Sequence, residues 1–295
     1  MRNYVVATDS GCDLPMEKCR EMDIHPLQMK YVFGETTYVD SMLHPDCQTF
    51  YARMRAGEVP HTSQVNVMEF VEFWETLLPL GLPIVHIALG SGISGTYRNG
   101  QLAVDVMKEQ HPEAKVFLVD STLASVGYGI LAIRAAELAD EGRTPEECVE
   151  WLNSHKAAMN TYYTTGDLTY LYRSGRVSRA GMVIAHALGI WPILNLDLEG
   201  HLIVQEKCRG KKNTIARIHA IIRELAVDPA GQTLYICHSD IPGEAKEFGD
   251  AIRDEFGFRD VYYTYIGPTI GTHSGPGLMA AFFFGKDRTM KHPGA

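Results

Sequence analysis

Short runs of apolar, often β-branched residues alternate along the chain with longer stretches of helical periodicity. The runs "YVVAT", "PIVHIAL", "AKVFLV", "TLYICHS" and "VYYTYIG" predict strands. The stretches "EFVEFWETLLPL", "GILAIRAAELADEG", "TIARIHAIIRELA" and "EAKEFGDAIRDEFG" repeat apolar residues at the spacing of an amphipathic helix. This alternation predicts an α/β fold in which mostly parallel strands are covered by helices.

The pattern changes after the helical stretch "TPEECVEWLNSHKAAM". Beyond it, "PILNLDLEGHLIVQEKCRG" predicts a hairpin with Glu199 and Gly200 at its turn. We therefore divide the chain near Asn160 into an N-terminal α/β domain, residues 1–160, and a C-terminal α/β domain, residues 161–295. Two domains in one chain predict a ligand cleft between them.

Composition and charge narrow the classes of function. The 295 residues carry a formal net charge of −9, which argues against nucleic-acid binding because such proteins present a basic face. The acidity also disfavours general attachment to anionic membranes. No apolar stretch approaches transmembrane length, and the chain opens on a predicted strand instead of a signal peptide. We therefore expect a cytoplasmic protein without stable membrane insertion.

The cysteines are scattered and form neither a C-x-x-C pair nor a zinc-type pattern with histidine. We expect free thiols in a reducing compartment and no metal site. They are Cys12, Cys19, Cys47, Cys148, Cys208 and Cys237.

The segment "GSGISG", Gly90 to Gly95, fits a dinucleotide-binding pattern. It follows an apolar run, precedes a helical pattern, and a later strand ends at Asp120, so an NAD(P)-dependent oxidoreductase is one interpretation. Two observations disfavour it: another strand and helix precede the motif, and Asp120 lies farther on than the usual ~20 residues. The loop is alternatively a helix N-terminus that offers Ser91, Ser94 and Thr96 to an anion, or has a plain N-cap at Ser94.

Further hydroxyl and carboxyl groups stand near predicted strand ends and helix starts. In "HTSQVNVMEF", Thr62 and Ser63 either cap the following helix or bind a ligand. The segments "TDSGCDLP" and "LVDST" follow predicted strands, where doubly wound sheets bind ligands, although Asp13 alternatively caps the next helix. The candidates in these two segments are Asp9, Ser10, Asp13, Asp120, Ser121 and Thr122.

Basic residues cluster in two segments of this acidic chain, "YRSGRVSR" and "EKCRGKK". Each is either a solvated loop or part of a patch that docks an anionic partner. The residues are Arg173, Arg176, Arg179, Lys207, Arg209, Lys211 and Lys212.

His273 lies in "GPTIGTHSGPG", Gly267 to Gly277, where glycine and proline turns bracket one titratable ring. It is an incidental histidine on a surface turn, a ligand-binding group, or the general base of a small-molecule hydrolase or transferase.

Taken together in this order, "TDSGCDLP", "HTSQ", "SGISGT", "LVDS", "LYRSGRVS", "PIL…CRGKK" and "IGTHSGPG" resemble the DegV family. Its best-understood members are the fatty-acid-binding subunits of bacterial fatty acid kinases. The resemblance extends from about Val5 to Gly285. It implies two α/β domains that enclose one long-chain fatty acid at their interface, in a subunit that performs no chemistry and needs no cofactor.

The resemblance also implies a carboxylate-binding set. Thr62 of the T-S-Q motif, Ser94 of S-G-T and His273 of G-x-H correspond to the residues that hydrogen-bond the fatty-acid carboxylate. Additional ligand-site candidates beside them are Ser63, Gly95 and Thr96.

A kinase partner is implied in the same way. Arg176 of the G-R loop and Arg209 of the K-x-R-G segment, with Arg173 nearby, resemble residues that engage a separate ATP-binding kinase subunit. That subunit would phosphorylate the held acid and supply acyl phosphate to phospholipid synthesis.

Some positions depart from the family's pattern. Val65 and Asn66 stand where Pro-Ser is common, Trp191 stands where a lysine often precedes the proline, and Ser174 replaces a frequent glycine. The carboxylate-binding set is intact, whereas chain-length preference and partner docking stay open.

Elementary energetics agrees with a fatty-acid ligand. At roughly 0.8 kcal/mol per methylene, burying a chain of about sixteen carbons gains on the order of 10 kcal/mol. The carboxylate loses several kcal/mol on leaving water, and each hydrogen bond to a charged group returns roughly 1.5–3 kcal/mol. Ile93, Phe282 and Phe283 either line the apolar part of the site or belong to the ordinary core.

Overall fold

Three sheets and their covering helices form the fold. The computed structural model describes residues 2–177 and 189–289. The strands are β1 (Val5–Asp9), β2 (Ile24–Leu27), β3 (Lys30–Phe33), β4 (Thr36–Val39), β5 (Pro60–Thr62), β6 (Ile84–Ala88), β7 (Val116–Asp120), β8 (Met159–Thr164), β9 (Ile190–Leu196), β10 (Leu202–Arg209), β11 (Thr233–His238), β12 (Asp260–Tyr265) and β13 (Met279–Phe284). The α-helices are α1 (Met16–Glu21), α2 (His44–Arg55), α3 (Val67–Glu75), α4 (Thr96–Gln110), α5 (Val126–Asp140), α6 (Pro145–His155), α7 (Thr169–Arg173), α8 (Lys211–Leu225), α9 (Pro242–Phe256) and α10 (Pro268–Ser274).

The N-terminal sheet has the strand order β2-β1-β6-β7, and every pair in it is parallel. Its two central strands, β1 and β6, are buried along their whole length because helices cover both faces. Val5 and Ala7 share an apolar cluster with α3 and α4, whereas Val6 packs in a second cluster with α5. The predicted parallel α/β layers are therefore confirmed.

The C-terminal sheet has the order β10-β9-β8-β13-β11-β12 and is antiparallel except for the β11–β12 pair. Phe282 of β13 faces the cluster that contains α5, and its neighbour Phe283 faces the cluster of α8 and α9. The predicted hairpin is present as β9 and β10, with Gly200 at φ +85° in its turn.

A third, three-stranded antiparallel sheet, β4-β3-β5, was absent from the sequence-based prediction. Its strands are only three or four residues long and β4 is largely exposed, so no long apolar run marks the sheet. The sheet carries Thr62 at the end of β5, opposite Tyr31 of β3.

Helix α5 joins the two halves of the chain. Nearly all of its residues are buried, as expected for a helix that is apolar on every side, and it contacts β1, β6 and β8. The apolar cluster around it includes Val85 from one half and Leu194 from the other. The sequence-based boundary at Asn160 falls inside β8, and the division into two domains stays a prediction.

The structure excludes the capping alternatives for Thr62, Ser63 and Asp13. Helix α3 is capped by Asn66, whose side chain accepts a hydrogen bond from the Glu69 N–H and completes a capping box, and not by Thr62 or Ser63. Helix α1 begins after Pro15 without a side-chain cap, and Asp13 is buried elsewhere.

Among the helices of the described residues, none combines the length and the apolar character that crossing a membrane requires.

Burial of His86 on β6 makes stability depend on pH. Its Nδ1 accepts a hydrogen bond from Trp74 Nε1 at 3.1 Å, and burial lowers the pKa of His86 to about 3. Because the unfolded chain binds this proton below pH ~6.5, the free energy of unfolding falls as the pH drops from there toward 3.

We predict that His86 costs the wild type about 2 kcal/mol of its free energy of unfolding between pH 7 and pH 5. His86→Asn should not show this part of the loss, because it has no imidazole to protonate in the unfolded chain. Urea unfolding of both proteins at the two pH values measures the difference. His61→Asn, at an exposed histidine on β5, is the matched control and should leave the pH dependence unchanged. Equal pH dependence in wild type and His86→Asn would contradict the prediction.

Candidate functional site

A cavity of about 340 Å³ lies between the two halves of the chain. This volume is within the range of small-molecule sites. One part of the wall is apolar, and its residues include Leu89, Ile93, Ala124, Leu171, Leu194, Leu196, Leu202, Ile266, Ile270 and Leu278. Another part is polar, and its residues include His61, Thr62, Ser63, Gln64, Ser94, Arg173, Ser174, Arg176, Thr269, Thr272, His273 and Ser274. The cavity therefore offers an amphipathic ligand both an apolar and a polar surface.

Thr62 and His273 meet in this polar wall. Thr62 ends β5 and His273 lies near the end of α10, and the Thr62 Oγ1 to His273 Nε2 distance is 2.9 Å. The structure thus brings together two predicted site residues that are 211 positions apart. Asp40 and Asp13 bind the residues at the start of α10, which fixes the helix that carries the ring.

The His273 ring is uncharged at neutral pH. Burial, with the nearby positive charge of Arg176, lowers the pKa of His273 to about 4. Its Nδ1 is buried, and the described residues provide it with no hydrogen-bond partner. When the Thr62 hydroxyl donates to Nε2, Nδ1 carries the proton and is a free donor beside the cavity.

Ser94 also lines the cavity, in the loop between β6 and α4. Its hydroxyl donates to Thr96 Oγ1 at 3.0 Å and accepts from the Thr96 N–H at 3.2 Å. Helix α4 has Gly95 at its N-cap position, so Ser94 supports the first turn from outside it. Of the additional candidates, Ser63 lines the cavity, whereas Gly95 and Thr96 are not among its described lining residues, and Thr96 is fully buried.

The three predicted docking arginines occupy different environments. Arg176 is half-buried in the cavity wall, donates to the carbonyl oxygens of Ser174 and Ile93, and has its pKa lowered by burial. Arg173 also lines the cavity but is exposed. Arg209 is exposed at the end of β10, outside the cavity lining. Arg179 lies outside the described residues.

The glycines of "GSGISG" serve close packing within the protein. A Cβ on Gly92 would lie 2.4 Å from the Gly200 carbonyl carbon, in the turn between β9 and β10. A Cβ on Gly90 would lie 2.8 Å from the Leu123 nitrogen. Asp120 accepts hydrogen bonds from the Ser91 N–H and hydroxyl. Because other segments already occupy these approaches, the geometry gives no support to the dinucleotide interpretation.

The other strand-end candidates are also engaged inside the protein. Asp9 accepts from the Leu89 N–H and from Tyr128, and burial raises the pKa of Asp9 to about 6. Ser10 Oγ accepts from the Met29 N–H. Ser121 and Thr122 are buried in the turn after β7. None of the candidates from "TDSGCDLP" and "LVDST" appears among the described residues of the cavity wall.

One group of potential metal ligands occurs within the described residues: Asp197, Glu199 and His201 in the β9–β10 turn. Asp197 accepts hydrogen bonds from the Glu199 and His201 N–H groups, at 2.9 Å each. These bonds shape the turn, so the arrangement has a structural role without an ion.

Sequence reasoning missed much of the apolar wall. Ile93 does line the cavity, but Phe282 and Phe283 are core residues on opposite faces of β13. Leu194 and Leu202 from the β9–β10 hairpin supply wall instead. No sequence signal separates them, because a lining leucine and a core leucine follow the same periodicity.

The departures from the family's pattern have structural roles. Val65 is buried beside α3, and Asn66 caps that helix. Trp191 on β9 packs on Gly166, where a Cβ would lie 2.8 Å from the indole ring.

Comparison with known proteins finds similarity over nearly the whole chain. The family model described as "Uncharacterised protein, DegV family" matches residues 3–286. A DegV domain-containing protein of Clostridium perfringens is 33% identical over 288 residues, covering 97% of this chain and 98% of that protein. The crystal structure of DegV, a fatty acid binding protein from Bacillus subtilis, has a TM-score of 0.84 at 30% identity and covers 97% of this chain and 100% of its own.

A DegV lipid binding protein from Thermotoga maritima has a TM-score of 0.83 at 26% identity, over 98% of this chain and 100% of its own. The likeness in sequence and in fold extends over nearly the whole chain. This chain belongs to the DegV family.

Proposed function

We propose that this protein binds one long-chain fatty acid in the cavity and holds its carboxylate at Thr62, Ser94 and His273. The observation that carries the proposal is the polar wall beside an apolar one, where the neutral His273 pairs with Thr62 and keeps a buried Nδ1 without a described partner. The fatty-acid and lipid binding of the Bacillus subtilis and Thermotoga maritima proteins supports it.

The polar wall suits an acid whose carboxylate is bound first and phosphorylated afterwards. A buried carboxylate loses several kcal/mol of hydration, and hydrogen bonds to the charged group offset this at roughly 1.5–3 kcal/mol each. The Nδ1–H of the neutral imidazole and the Ser94 hydroxyl, once turned from Thr96 toward the ligand, supply such bonds without a full ion pair, while the Thr62 hydroxyl donates to Nε2 and holds that tautomer. A lysine in their place would hold the carboxylate more tightly and make it less reactive.

The kinase partner is part of the same proposal. A separate ATP-binding subunit phosphorylates the held carboxylate, and the acyl phosphate enters phospholipid synthesis. In this scheme the present chain is a non-catalytic carrier. Arg209, exposed and outside the cavity lining, is the docking contact that the geometry favours, because its contacts with a partner need not disturb the lipid.

The first prediction concerns the protein as purified. Denaturing mass spectrometry should release a long-chain fatty acid at about one equivalent, because the cavity described above has room for one such chain and combines apolar and polar lining. If the protein emerges empty, titration of a fatty-acid panel gives the same answer. Release of a nicotinamide cofactor, or absence of binding across the panel, would refute the proposed function.

The second prediction concerns the carboxylate-binding set. Ser94→Ala and His273→Ala should each weaken fatty-acid binding roughly 10- to 100-fold, since each removes a hydrogen bond to a charged group. Fluorescence competition with delipidated protein measures the change. Ser154→Ala, on the exposed end of α6, is the matched control. Unchanged affinity in both site variants would show that the carboxylate binds elsewhere.

The third prediction separates two arginines. Arg209→Glu should leave fatty-acid affinity unchanged and lower the rate of acyl-phosphate formation with the kinase subunit. Arg176→Glu should lower both, because a carboxylate side chain in the cavity wall repels the ligand. Lys108→Glu, on the exposed face of α4, controls for charge reversal alone. Loss of lipid binding in Arg209→Glu would argue against a docking role.

A further inference from the structure

The helix that carries His273 is short, and buried carboxyl groups hold its start. Asp13 Oδ1 accepts a hydrogen bond from the Gly267 N–H at 2.8 Å. Asp40 Oδ2 accepts from the Thr269 N–H at 3.2 Å and from the Thr269 hydroxyl at 2.6 Å. Both carboxyl groups are almost completely buried. The first turn of α10 is therefore fixed by side chains from the other half of the chain.

Asp40 is also tied to the sheet that carries Thr62. Its N–H donates to the Met29 carbonyl oxygen at 2.8 Å, directly before β3 begins. Strand β3 pairs with β5, and Tyr31 lies opposite Thr62. Asp40 thus bonds the segments that position each partner of the Thr62–His273 hydrogen bond.

Asp13 provides a second fixed point. Its other carboxyl oxygen accepts from the Ser125 hydroxyl at the start of α5, and its carbonyl oxygen accepts from Thr264 Oγ1 at 2.8 Å. A Cβ on Gly267 would lie 3.1 Å from Asp13 Oδ1 and 3.4 Å from both carboxyl oxygens of Asp40. Glycine at this position lets the backbone approach both acids at once.

Hydrogen bonds, and not ion pairs, satisfy these acids. The salt bridges of the described residues do not involve Asp13 or Asp40. Burial raises the pKa of each carboxyl group, more strongly for Asp13. Two buried acids without cations weaken the fold unless their bonds are complete, so their presence at the start of α10 calls for a reason beyond packing.

We propose that Asp13 and Asp40 are positioning residues for the ligand's carboxylate: by fixing Gly267 and Thr269 they set His273 at hydrogen-bonding distance from Thr62. This inference rests on the proposed function, in which His273 and Thr62 bind that carboxylate. It adds two residues that touch neither the ligand nor its immediate donors. Their effect should fall mainly on recognition of the head group, because of the apolar wall residues named above only Ile270 lies on α10.

The test compares hexadecanoic acid with 1-hexadecanol, which shares the chain and lacks the charge. Asp40→Ala should weaken binding of the acid about tenfold or more and leave binding of the alcohol nearly unchanged. Asp40→Asn should restore most of the acid's affinity, because its amide oxygen still accepts from Thr269. Tyr4→Phe, which removes a buried hydrogen bond to Ala135 far from α10, should change neither affinity.

A gentler variant covers the case in which Asp40→Ala does not fold. Ser125→Ala removes the hydroxyl that donates to Asp13 at nearly constant shape, and Ser125 is not among the described lining residues of the cavity. The acid's affinity should fall in Ser125→Ala, and the alcohol's affinity should stay nearly unchanged.

The outcomes distinguish the positioning role of Asp13 and Asp40 from the proposed function on which it rests. Equal losses for acid and alcohol in the Asp40→Ala or Ser125→Ala variant, or no loss at all, would overturn the positioning role. A wild-type protein that binds acid and alcohol equally well would instead overturn the carboxylate assignment of the proposed function.

Discussion

The seating of α10 against the N-terminal half is the constraint on which the site depends. This helix lies near the end of the chain, yet it contacts β3, β5 and the turn that follows β1. Every one of these contacts joins residues far apart in sequence, so each requires both halves of the chain. The Thr62–His273 pair is therefore a product of the complete tertiary structure, and neither half contains it alone.

The electrostatics of the site follow from this seating. Burial keeps His273 neutral, and the positive charge of the nearby Arg176 further disfavours its protonation. A neutral ring in contact with a hydroxyl offers directional hydrogen bonds and little net charge. Arg176, a cation in the cavity wall, already donates hydrogen bonds to two backbone carbonyl oxygens. Under the proposed function, the site recognises an acid by geometry more than by charge, which leaves a bound carboxylate nucleophilic.

The sequence predicted β1, β6, β7, β11 and β12, but it missed the buried strands β8 and β13 as well as the short strands of the third sheet. The runs that form β1, β6 and β11 are readily recognised because helices cover both faces of these strands. Strands β3 and β4 lack such a signal, since their side chains alternate or stay exposed. The site residues were predicted from the order of the motifs along the chain. Periodicity could not predict them, because it does not show which side chains from distant segments meet. Asp40 was missed for the same reason: its significance appears only once Thr269 lies against it.

The glycine-rich loop shows why a motif fixes geometry more firmly than function. A G-x-G-x-x-G pattern requires that something approach the backbone too closely for a Cβ. In a dinucleotide-binding protein that something is a pyrophosphate. Here it is the protein itself, since the β9–β10 turn approaches Gly92 and the Leu123 backbone approaches Gly90. The β9–β10 hairpin also supplies apolar wall to the cavity, so the contact at Gly92 places that wall beside the loop that carries Ser94. Glycine at this position therefore serves the cavity by bringing its apolar and polar walls together, and it needs no phosphate to explain it.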